Sequence, residues 1–322
     1  GGGSGRGSNA KEEEDEQGWD PEHALRTVAS IGNSSALIAA CRARPPAGLW
    51  TLLEAMLPKT TLTHLIPGGG LFGSKGDAAT EALRGTLDYG SCAVVGNSGV
   101  LLMNEYGEAI DAHSFVLRMN VAPTGGLVRK YVGSKTHARV LNNKWSRVVS
   151  NGERLPVKIE PGCALLLRTT DASILENAAR GHYGQNYGGV MLPFNYRAVG
   201  GAKVALAAYK GCLRVRRKPL GRGGDLPSAG FAAALALSRI CSKLRLFGFG
   251  LPPPGATTQV GDKKQAMGYQ YFVERNIDGS LNAGSPAHNF DLEFAALQSL
   301  ARNVKSVTMC GPGAEGNSEC KP

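Results

Sequence analysis

The stretch CAVVGNSGVLL, from Cys92 to Leu102, decides the fold. Its apolar run 92–95 shows no polar alternation, which predicts a strand of a parallel sheet that is covered on both faces. Two glycines flank Asn97 and Ser98 directly after that strand, so backbone amides of the loop can approach a ligand closely. A helix after such a loop would point its N-terminus at an anion. A nucleotide phosphate is the first candidate ligand, and an ordinary turn is the alternative.

Beyond this stretch, short apolar or β-branched runs alternate with helical segments. The predicted strands cover residues 114–120, 136–141, 163–169, 243–249 and 304–310. The predicted helices include 200–211 and an amphipathic segment at 228–240 that contains the apolar run Phe231 to Leu237. This alternation predicts an α/β fold with a mostly parallel central sheet flanked by helices, whose ligands bind at the carboxyl ends of the strands.

The chain divides by composition into three parts. Residues 1–19 are rich in glycine and then in acids, which is typical of a flexible linker or stem. Residues 20–90 carry apolar residues at helical spacing and predict a helical N-terminal extension that packs on the main domain. Residues 91–322 form that domain, which is long enough to bury a sizeable core.

Charge and cysteines limit the classes of function. A net charge of +10 and a pI near 9.3 suit acidic partners such as phosphates, anionic glycans, nucleic acid or a membrane surface. Seven cysteines include no C-x-x-C pair, so we expect lumenal disulfides rather than a zinc site. The sequon Asn33-Ser34-Ser35 agrees with a secretory route. No apolar run reaches the length of a membrane span.

Two further positions extend the candidate ligand site. Asn120 ends the second strand, where an enzyme that binds NAD would present an acid to the ribose, which argues against NAD. Ser228 and Gly230 follow Pro227 at the start of a helix, where a hydroxyl and free amides can bind a carboxylate or phosphate. A helix cap without any ligand explains Ser228 equally well.

Residues 92–136 as a whole, CAVVGNSGVLLMNEYGEAIDAHSFVLRMNVAPTGGLVRKYVGSKT, resemble the large sialylmotif of the eukaryotic sialyltransferases. The segment LPSAGFAAALALSRICSKLRLFGFG, 226–250, looks like the small motif of that family, and HNFDLE, 288–293, has the spacing of the very small motif. The resemblance covers about residues 92–300 in the family's order. It implies a single Rossmann-like glycosyltransferase domain, a GT-A variant, over residues 91–322.

The resemblance also implies the donor and the residues that bind it. The donor would be CMP-sialic acid, with CMP in the loop after the first strand. Asn97, Ser98 and Asn120 would contact the nucleotide, while Ser228 and Gly230 would lie beside the donor's carboxylate or cytidine. Gly248 would leave space near the nucleotide.

His288 is the candidate general base. A neutral imidazole titrates near physiological pH, and the corresponding histidine of the family has this role in an inverting single displacement on a glycan hydroxyl. If residues 286–298 are helical from their beginning, Glu293 lies near the same face as His288 and orients that segment. A surface histidine followed by an ordinary helical glutamate is the alternative.

Further expectations come from the resemblance and from absent motifs. Cys92 and Cys241 occupy the two family positions that form a disulfide, whereas Cys310 and Cys320 have no assigned partner. The family implies residence in the Golgi lumen, with membrane attachment only through an N-terminal anchor absent from this chain. Since the sequence has no D-x-D motif, we expect turnover without a cofactor or divalent metal.

Several positions depart from the family pattern. GYQYFVER, 268–275, is a loose match to the third sialylmotif, with Tyr269, Tyr271 and Glu274 as its candidate residues. Leu226 stands where some members have a tyrosine that reaches the phosphate, and Tyr131 and His137 replace a usual aspartate and threonine. These departures leave the acceptor glycan and the donor sugar open.

Three alternatives follow. The donor is another CMP-activated 2-keto sugar acid such as Kdo, which shares the carboxylate and the CMP. In the second alternative, the chain is a degenerate transferase that binds CMP without turnover. The intact His288 argues against this alternative. In the third alternative, the chain is a catalytically inactive protein that binds anions or glycans through the basic run Lys210 to Asp225. Nucleic acid is disfavoured as its ligand because few aromatic residues interleave with the charges.

Overall fold

The structure is a computed structural model. It describes residues 35–42, 49–51, 53, 89–169, 171–181, 191–194, 196–260, 263–272, 286–311 and 320. Within these ranges the α-helices are α1 Ser35–Arg42, α2 Gly107–Asp111, α3 Arg129–Val132, α4 Asn143–Ser150, α5 Ala172–Arg180, α6 Tyr196–Val215, α7 Ala229–Leu237 and α8 Phe290–Asn303. Two 3₁₀ helices span Gly99–Met103 and Gly126–Val128.

The described strands are β1 Ser91–Val95, β2 Phe115–Met119, β3 Ala138–Leu141, β4 Ala164–Leu167, β5 Met191–Pro193, β6 Lys243–Phe247, β7 Thr257–Val260, β8 Lys263–Ala266 and β9 Val307–Cys310. Seven of them form one sheet in the order β5-β4-β3-β2-β1-β6-β9. Every neighbouring pair in that sheet is parallel. The predicted α/β fold with a mostly parallel central sheet is confirmed.

The strand order places a crevice between β1 and β6. From β1 the chain builds the sheet outward through β2 to β5, and it then returns to add β6 on the other side of β1. The direction in which strands are added therefore reverses between β1 and β6, and open α/β sheets bind ligands at the carboxyl edge at such a point. Val95 lies level with Phe247, so the loops after β1 and β6 begin at the same height.

Helices cover both faces of the sheet. The largest core cluster joins one face to α6, α7 and α8, and it also includes Cys41, Leu49, Trp50 and Leu53 from the N-terminal part. On the other face, two smaller clusters hold α2 and α3 and, further along the sheet, α4 and α5. Most of the segments predicted at 1–19 and 20–90, and Asn33 and Ser34 of the sequon, lie outside the described residues, so those boundaries stay predictions.

Helix α7 is not amphipathic, so that expectation was wrong. All of its residues except Gly230 are buried. The helix lies between the sheet and α6, and its alanines allow close approach on both sides. No described helix is long and apolar enough to cross a membrane.

The sequence missed β5 and the antiparallel hairpin of β7 and β8. Strand β5 has only three residues, and the hairpin strands TTQV and KKQA contain almost no apolar run. The hairpin strands pair only with each other, so nothing requires them to be apolar on both faces.

Six of the seven cysteines form disulfides. Cys92 in β1 pairs with Cys241 just before β6, as predicted. Cys310 pairs with Cys320, and Cys41 of α1 pairs with Cys212 of α6. Cys163 is outside these bonds and is buried.

Candidate active site

The loops after β1 and β6 contact each other through their backbones. The amide of Gly96 donates to the carbonyl of Phe247 at 2.7 Å, and the amide of Ser98 donates to the carbonyl of Gly248 at 3.1 Å. A side chain at Gly96 would run into the carbonyl oxygen of Gly248. Glycine at position 96 therefore allows the backbones of the two loops to pack in direct contact.

The backbone conformation at position 248 favours glycine. Its φ is +71°, and a Cβ there would meet the side chain of Leu101 at 2.7 Å. The room beside Gly248 is thus filled by protein atoms. Its position next to Ser98 keeps it at the predicted nucleotide site, where its contact with a ligand stays a prediction.

Asn97 and Ser98 have different environments in the loop. Ser98 is buried and caps the following 3₁₀ helix, because its hydroxyl accepts from the amide of Val100 at 3.3 Å. The carbonyl of Asn97 accepts from the amide of Tyr271 at 3.0 Å. The Oδ1 atom of Asn97 is buried without a hydrogen-bond partner among the described residues. An unpaired buried acceptor is costly, so this atom can bind a donor group of a ligand.

Asn120 lies at the end of β2 in a left-handed conformation, with a φ of 52°. Asparagine tolerates this region better than most residues. Its Oδ1 accepts from the amide of Asn142 at 2.9 Å, and its carbonyl accepts from the buried guanidinium of Arg139. No described residue accepts from its Nδ2, so that group is available as a donor at the carboxyl edge of the sheet.

Ser228 caps α7, and Glu293 holds it. Its hydroxyl accepts from the amide of Phe231 at 3.1 Å. The Glu293 carboxylate accepts from the Ser228 amide at 2.7 Å and from its hydroxyl at 2.5 Å. Burial raises the pKa of Glu293 to about 7, although the Ser228 hydrogen bonds and the charge of Arg168 oppose that rise. Both donors of Ser228 are therefore directed at a protein carboxyl group.

Gly230 lies near the start of α7. A side chain at this position would approach the ring of Phe249 at 3.3 Å. Phe249 belongs to the loop after β6, so Gly230 allows that loop to lie directly on α7.

His288 precedes α8 rather than belonging to it. Asn289 caps that helix by accepting from the amide of Leu292, so the expectation of a helix from residue 286 was wrong at its beginning. The Asn289 side chain occupies the cap position, and its Nδ2 donates to the carbonyl of Leu220. Glu293 contacts Ser228 instead of His288, so it orients the start of α7.

One backbone contact fixes the imidazole of His288. Its Nδ1 lies 2.6 Å from the carbonyl of Leu226, which can only accept, so Nδ1 carries the proton and donates. Burial lowers the pKa of His288; the bond to Leu226 acts in the opposite direction, and the charge of Arg168 lowers it further. The neutral ring then presents Nε2 as a proton acceptor.

Arg168 is a site residue that the sequence analysis missed. It directly follows β4, and its Nη2 donates to the carbonyl of Pro227 at 2.8 Å. Its charge acts on both Glu293 and His288. An arginine immediately after the buried run ALLL, at the carboxyl edge of a predicted strand, was the available sequence clue.

The segment around Tyr269 connects the nucleotide loop to the histidine. The amide of Gly99 donates to the carbonyl of Tyr269 at 3.0 Å. The ring of Tyr269 packs on Phe290 at 5.3 Å, and Phe290 packs on His288 at 5.7 Å. Tyr271 is buried, and its hydroxyl donates to the carbonyl of Pro123 at 2.7 Å. Glu274 lies outside the described residues.

The unusual residues Tyr131 and His137 have structural contacts. The hydroxyl of Tyr131 donates to the carbonyl of Gln259 in the hairpin at 3.0 Å. The Nδ1 of His137 accepts from the amide of Val116 at 2.9 Å.

A cavity of 440 Å³ between Tyr131 and the hairpin contains none of the predicted site residues. In the described part of the chain no three His, Cys, Asp or Glu residues cluster as metal ligands.

The family follows from a comparison with known proteins. The model of Glycosyltransferase family 29 (sialyltransferase) matches residues 71–305, which include every site residue named above. The chain belongs to glycosyltransferase family 29. Its match begins before β1 and ends after α8, so it covers both loops of the crevice and the His288 segment.

Two curated relatives of this family-29 chain differ in their named activities. CMP-N-acetylneuraminate-beta-galactosamide-alpha-2,3-sialyltransferase 1 of Gallus gallus is 30% identical over 227 residues, which cover 70% of this chain and 60% of the relative. Beta-1,6-galactosyltransferase GALT29A of Arabidopsis thaliana is 53% identical over 55 residues, or 17% of this chain and 14% of the relative. The family-29 chain thus spans less than two thirds of the relatives' length.

A solved structure aligns with most of the chain. The crystal structure of a mammalian sialyltransferase is 22% identical to the family-29 chain and aligns with a TM-score of 0.45. The alignment covers 85% of this chain and 83% of that one.

Proposed function

We propose that the protein is an inverting glycosyltransferase that moves sialic acid from CMP-sialic acid to a hydroxyl of a glycan, with His288 as the general base. The observation that carries the proposal is the Nδ1 contact of His288 with the carbonyl of Leu226 at 2.6 Å. This contact holds the tautomer whose Nε2 can take a proton, and burial keeps the ring neutral by lowering its pKa.

The donor binds at the carboxyl edge of the sheet, from the gap between β1 and β6 across to the end of β2. Asn97 and Asn120 each offer a polar atom that no described residue binds, and Ser98 shapes the loop from its buried position. Ser228, Gly230 and Gly248 line the neighbouring wall. A donor carboxylate at Ser228 would have to share that residue with Glu293.

The reaction is one displacement. The acceptor oxygen attacks the anomeric carbon of the sugar acid while its proton passes to Nε2 of His288. The bond from that carbon to the phosphate oxygen breaks, and CMP leaves with the electron pair. The named activity of the Gallus gallus relative supports this donor.

A transfer of galactose is the second candidate. The 55 residues that match the Arabidopsis thaliana galactosyltransferase at 53% identity favour it. That donor would carry a nucleoside diphosphate and no carboxylate. Kdo, another CMP-activated 2-keto sugar acid, requires the same protein groups as sialic acid.

The disulfides support a lumenal compartment. Three bonds need an oxidising environment, which the secretory pathway provides. We place the protein in the Golgi lumen as part of the same proposal, because glycan acceptors are extended there.

One experiment tests the proposal. Purified protein is incubated with CMP-sialic acid, CMP-Kdo and UDP-galactose, each with and without a glycan array, and nucleotide release is measured. We expect acceptor-dependent CMP release from CMP-sialic acid. Nucleotide release from UDP-galactose and from neither CMP-sugar would contradict the proposal and would support a galactosyltransferase activity instead. Binding to glycans without turnover of any donor would make the protein an inactive binder.

A further inference from the structure

A group of basic side chains lies at the end of α6 and in the segment that leads from it to the Ser228 cap. We call residues 214–222, of which 214 and 215 end α6, the basic loop. It contains Arg214, Arg216, Arg217, Lys218 and Arg222. Four of them, all except Arg216, are exposed, and no ion pair joins any of the five to a residue that the structure describes.

The acidic residues near the basic loop do not neutralise its positive charge. Asp225 pairs with Lys210 at 2.5 Å. Asp291 is the other acid at this position, with its Cβ near Gly221. The loop therefore presents a net positive surface, and such a surface attracts anions over about a Debye length of roughly 8 Å at physiological salt.

Close backbone contacts fix this loop beside His288. A Cβ on Gly223 would collide with the carbonyl oxygen of His288, and one on Gly224 would lie 2.6 Å from that of Ala287. The amide of Leu226 also donates to the carbonyl of Ala287 at 3.1 Å. Arg222 directly precedes these contacts and is exposed, so its backbone lies beside the segment that carries the proposed base.

Arg217 occupies a position that suits glycine. The amide of Lys218 donates to the carbonyl of Leu213 at 2.8 Å, which closes the end of α6. This closure leaves Arg217 with a φ of 51°, in the left-handed region. Glycine adopts that conformation without strain, and it is the usual residue at this point of a helix end. The backbone conformation at position 217 therefore favours glycine, yet the chain has a charged arginine there.

We propose that the basic loop binds carboxylate or sulfate groups of the acceptor, so that the acceptor is an acidic polysaccharide. The proposal rests on the transferase function proposed above, because it assigns the loop to the acceptor side of the same site. In this proposal Arg222, whose neighbour Gly223 contacts the backbone of His288, binds acidic groups of the sugar residues next to the reacting hydroxyl, while Arg214, Arg217 and Lys218 contact residues further along the polymer.

The first test measures binding without any donor. The probes are a galactan oligosaccharide, a galacturonan of equal length and a sulfated galactan of equal length. We expect the two acidic probes to bind on the order of 10-fold more tightly than the neutral one at low salt, and the difference to shrink as salt rises. Equal affinity for all three probes would overturn the proposal.

The second test removes charges from the loop. The triple variant Arg214→Gln, Arg217→Gln, Arg222→Gln should weaken binding of the acidic probes about 10-fold and leave the neutral probe unchanged. The control is Arg129→Gln, Arg147→Gln, Arg154→Gln, which removes three exposed charges on the face of the sheet opposite to α6. An equal loss in the control would show that net charge alone is responsible, and would overturn the assignment to the loop.

Arg217→Gly separates a binding role from a folding role. We expect this variant to unfold at the same or a higher temperature, since glycine relieves the backbone, and yet to bind the galacturonan less tightly. Unchanged galacturonan binding by both Arg217→Gly and the triple variant contradicts the proposal.

Kinetic measurements distinguish the acceptor from other anions. With the active donor from the nucleotide-release assay, the triple variant should raise KM for acidic acceptors and keep KM for the donor. A raised donor KM with normal acceptor KM would assign the loop to the donor phosphate instead. Tighter binding of single-stranded RNA than of galacturonan would also overturn it. If no donor turns over, charge-dependent binding of galacturonan still supports the loop's role, while the transferase function fails.

Discussion

The carboxyl group of Glu293 accepts two hydrogen bonds from Ser228, at 2.7 Å from its amide and 2.5 Å from its hydroxyl. These bonds join the first turn of α8 to the cap of α7. The N-terminus of α7, where the sequence predicted an anion, thus already faces a carboxyl group of the protein. The donor site and the segment that carries His288 are therefore coupled through one buried acid.

Glu293 should make stability depend on pH. Burial raises its folded-state pKa to about 7, from an ordinary value of 4.5. Between these values Glu293 in the folded protein holds a proton that the unfolded chain has released, so the contribution of Glu293 to stability falls as pH rises through this window and levels off above it. The loss is up to about 3 kcal/mol, at 1.36 kcal/mol for each pKa unit.

The variant Glu293→Gln tests this dependence. The stability that the wild type has in excess of the variant, measured by urea unfolding from pH 4.5 to 8, should fall as pH rises, because the amide of the variant cannot release a proton. The difference is the relevant quantity, since the lowered pKa values of His113, His137 and His288 act in the opposite direction in both proteins. Glu108→Gln is the matched control, since Glu108 is an exposed acid in the first turn of α2. A difference between wild type and Glu293→Gln that rises between pH 5 and 7 would contradict the prediction.

His288→Ala should separate chemistry from nucleotide binding. Loss of the base should lower kcat by about 100-fold or more, because general-base catalysis is typically worth that factor. Binding of CMP should stay near normal, since the proposed nucleotide contacts are in the loops after β1 and β2. Turnover at saturating donor and calorimetry with CMP measure the two effects. Near-normal turnover in a folded His288→Ala protein would remove the residue as the base.

The pH profile provides an independent check on His288. Burial and Arg168 lower its pKa below the ordinary 6.5, so more than half of the base is neutral at that pH. We expect the acidic limb of kcat/KM to have its midpoint below pH 6.5. An acidic limb centred above 6.5 would exclude this environment for the base.

Asn120→Asp should weaken CMP binding without disturbing the loop. The aspartate keeps an acceptor for the amide of Asn142 and tolerates the left-handed backbone, but it lacks the donor group of Nδ2. We expect a loss of about 1 to 3 kcal/mol in CMP affinity, measured by calorimetry. Asn120→Ala should also lose stability, because it removes the Asn142 contact. Unchanged CMP affinity in Asn120→Asp would exclude Asn120 from the nucleotide site.

The sequence predicted the sheet better than the contacts of the site. The strands β1 to β4 could be found because their burial on both faces favours apolar runs that are visible locally, and β6 and β9 still show short apolar or β-branched runs although they are partly exposed. Arg168 could not be found in the same way, because its partner Pro227 lies 59 residues away along the chain. Glu293 was paired with nearby His288 on the assumption of helical spacing, whereas its partner Ser228 is 65 residues distant. Such contacts depend on the packing of α7 and α8.

Turnover should persist without a divalent metal. The sequence has no D-x-D motif, and one phosphate in the CMP leaving group needs less charge neutralisation than a diphosphate. Activity in EDTA should equal activity in buffer with added Mg²⁺ or Mn²⁺. An activity that disappears in EDTA and returns with either ion would refute this prediction, and it would also favour a nucleoside diphosphate donor.

The Cys92–Cys241 disulfide should stabilise the fold more than the Cys310–Cys320 disulfide does. The first closes a separation of 149 residues, whereas the second closes only 10. A longer closed loop restricts the unfolded chain more, so removal of the first bond should cost about 2 to 5 kcal/mol and removal of the second about 2 kcal/mol less. The double variants Cys92→Ser, Cys241→Ser and Cys310→Ser, Cys320→Ser provide the comparison by urea unfolding. Equal losses would mean that local packing, rather than restriction of the unfolded chain, sets the contribution of the bond between β1 and the end of α7.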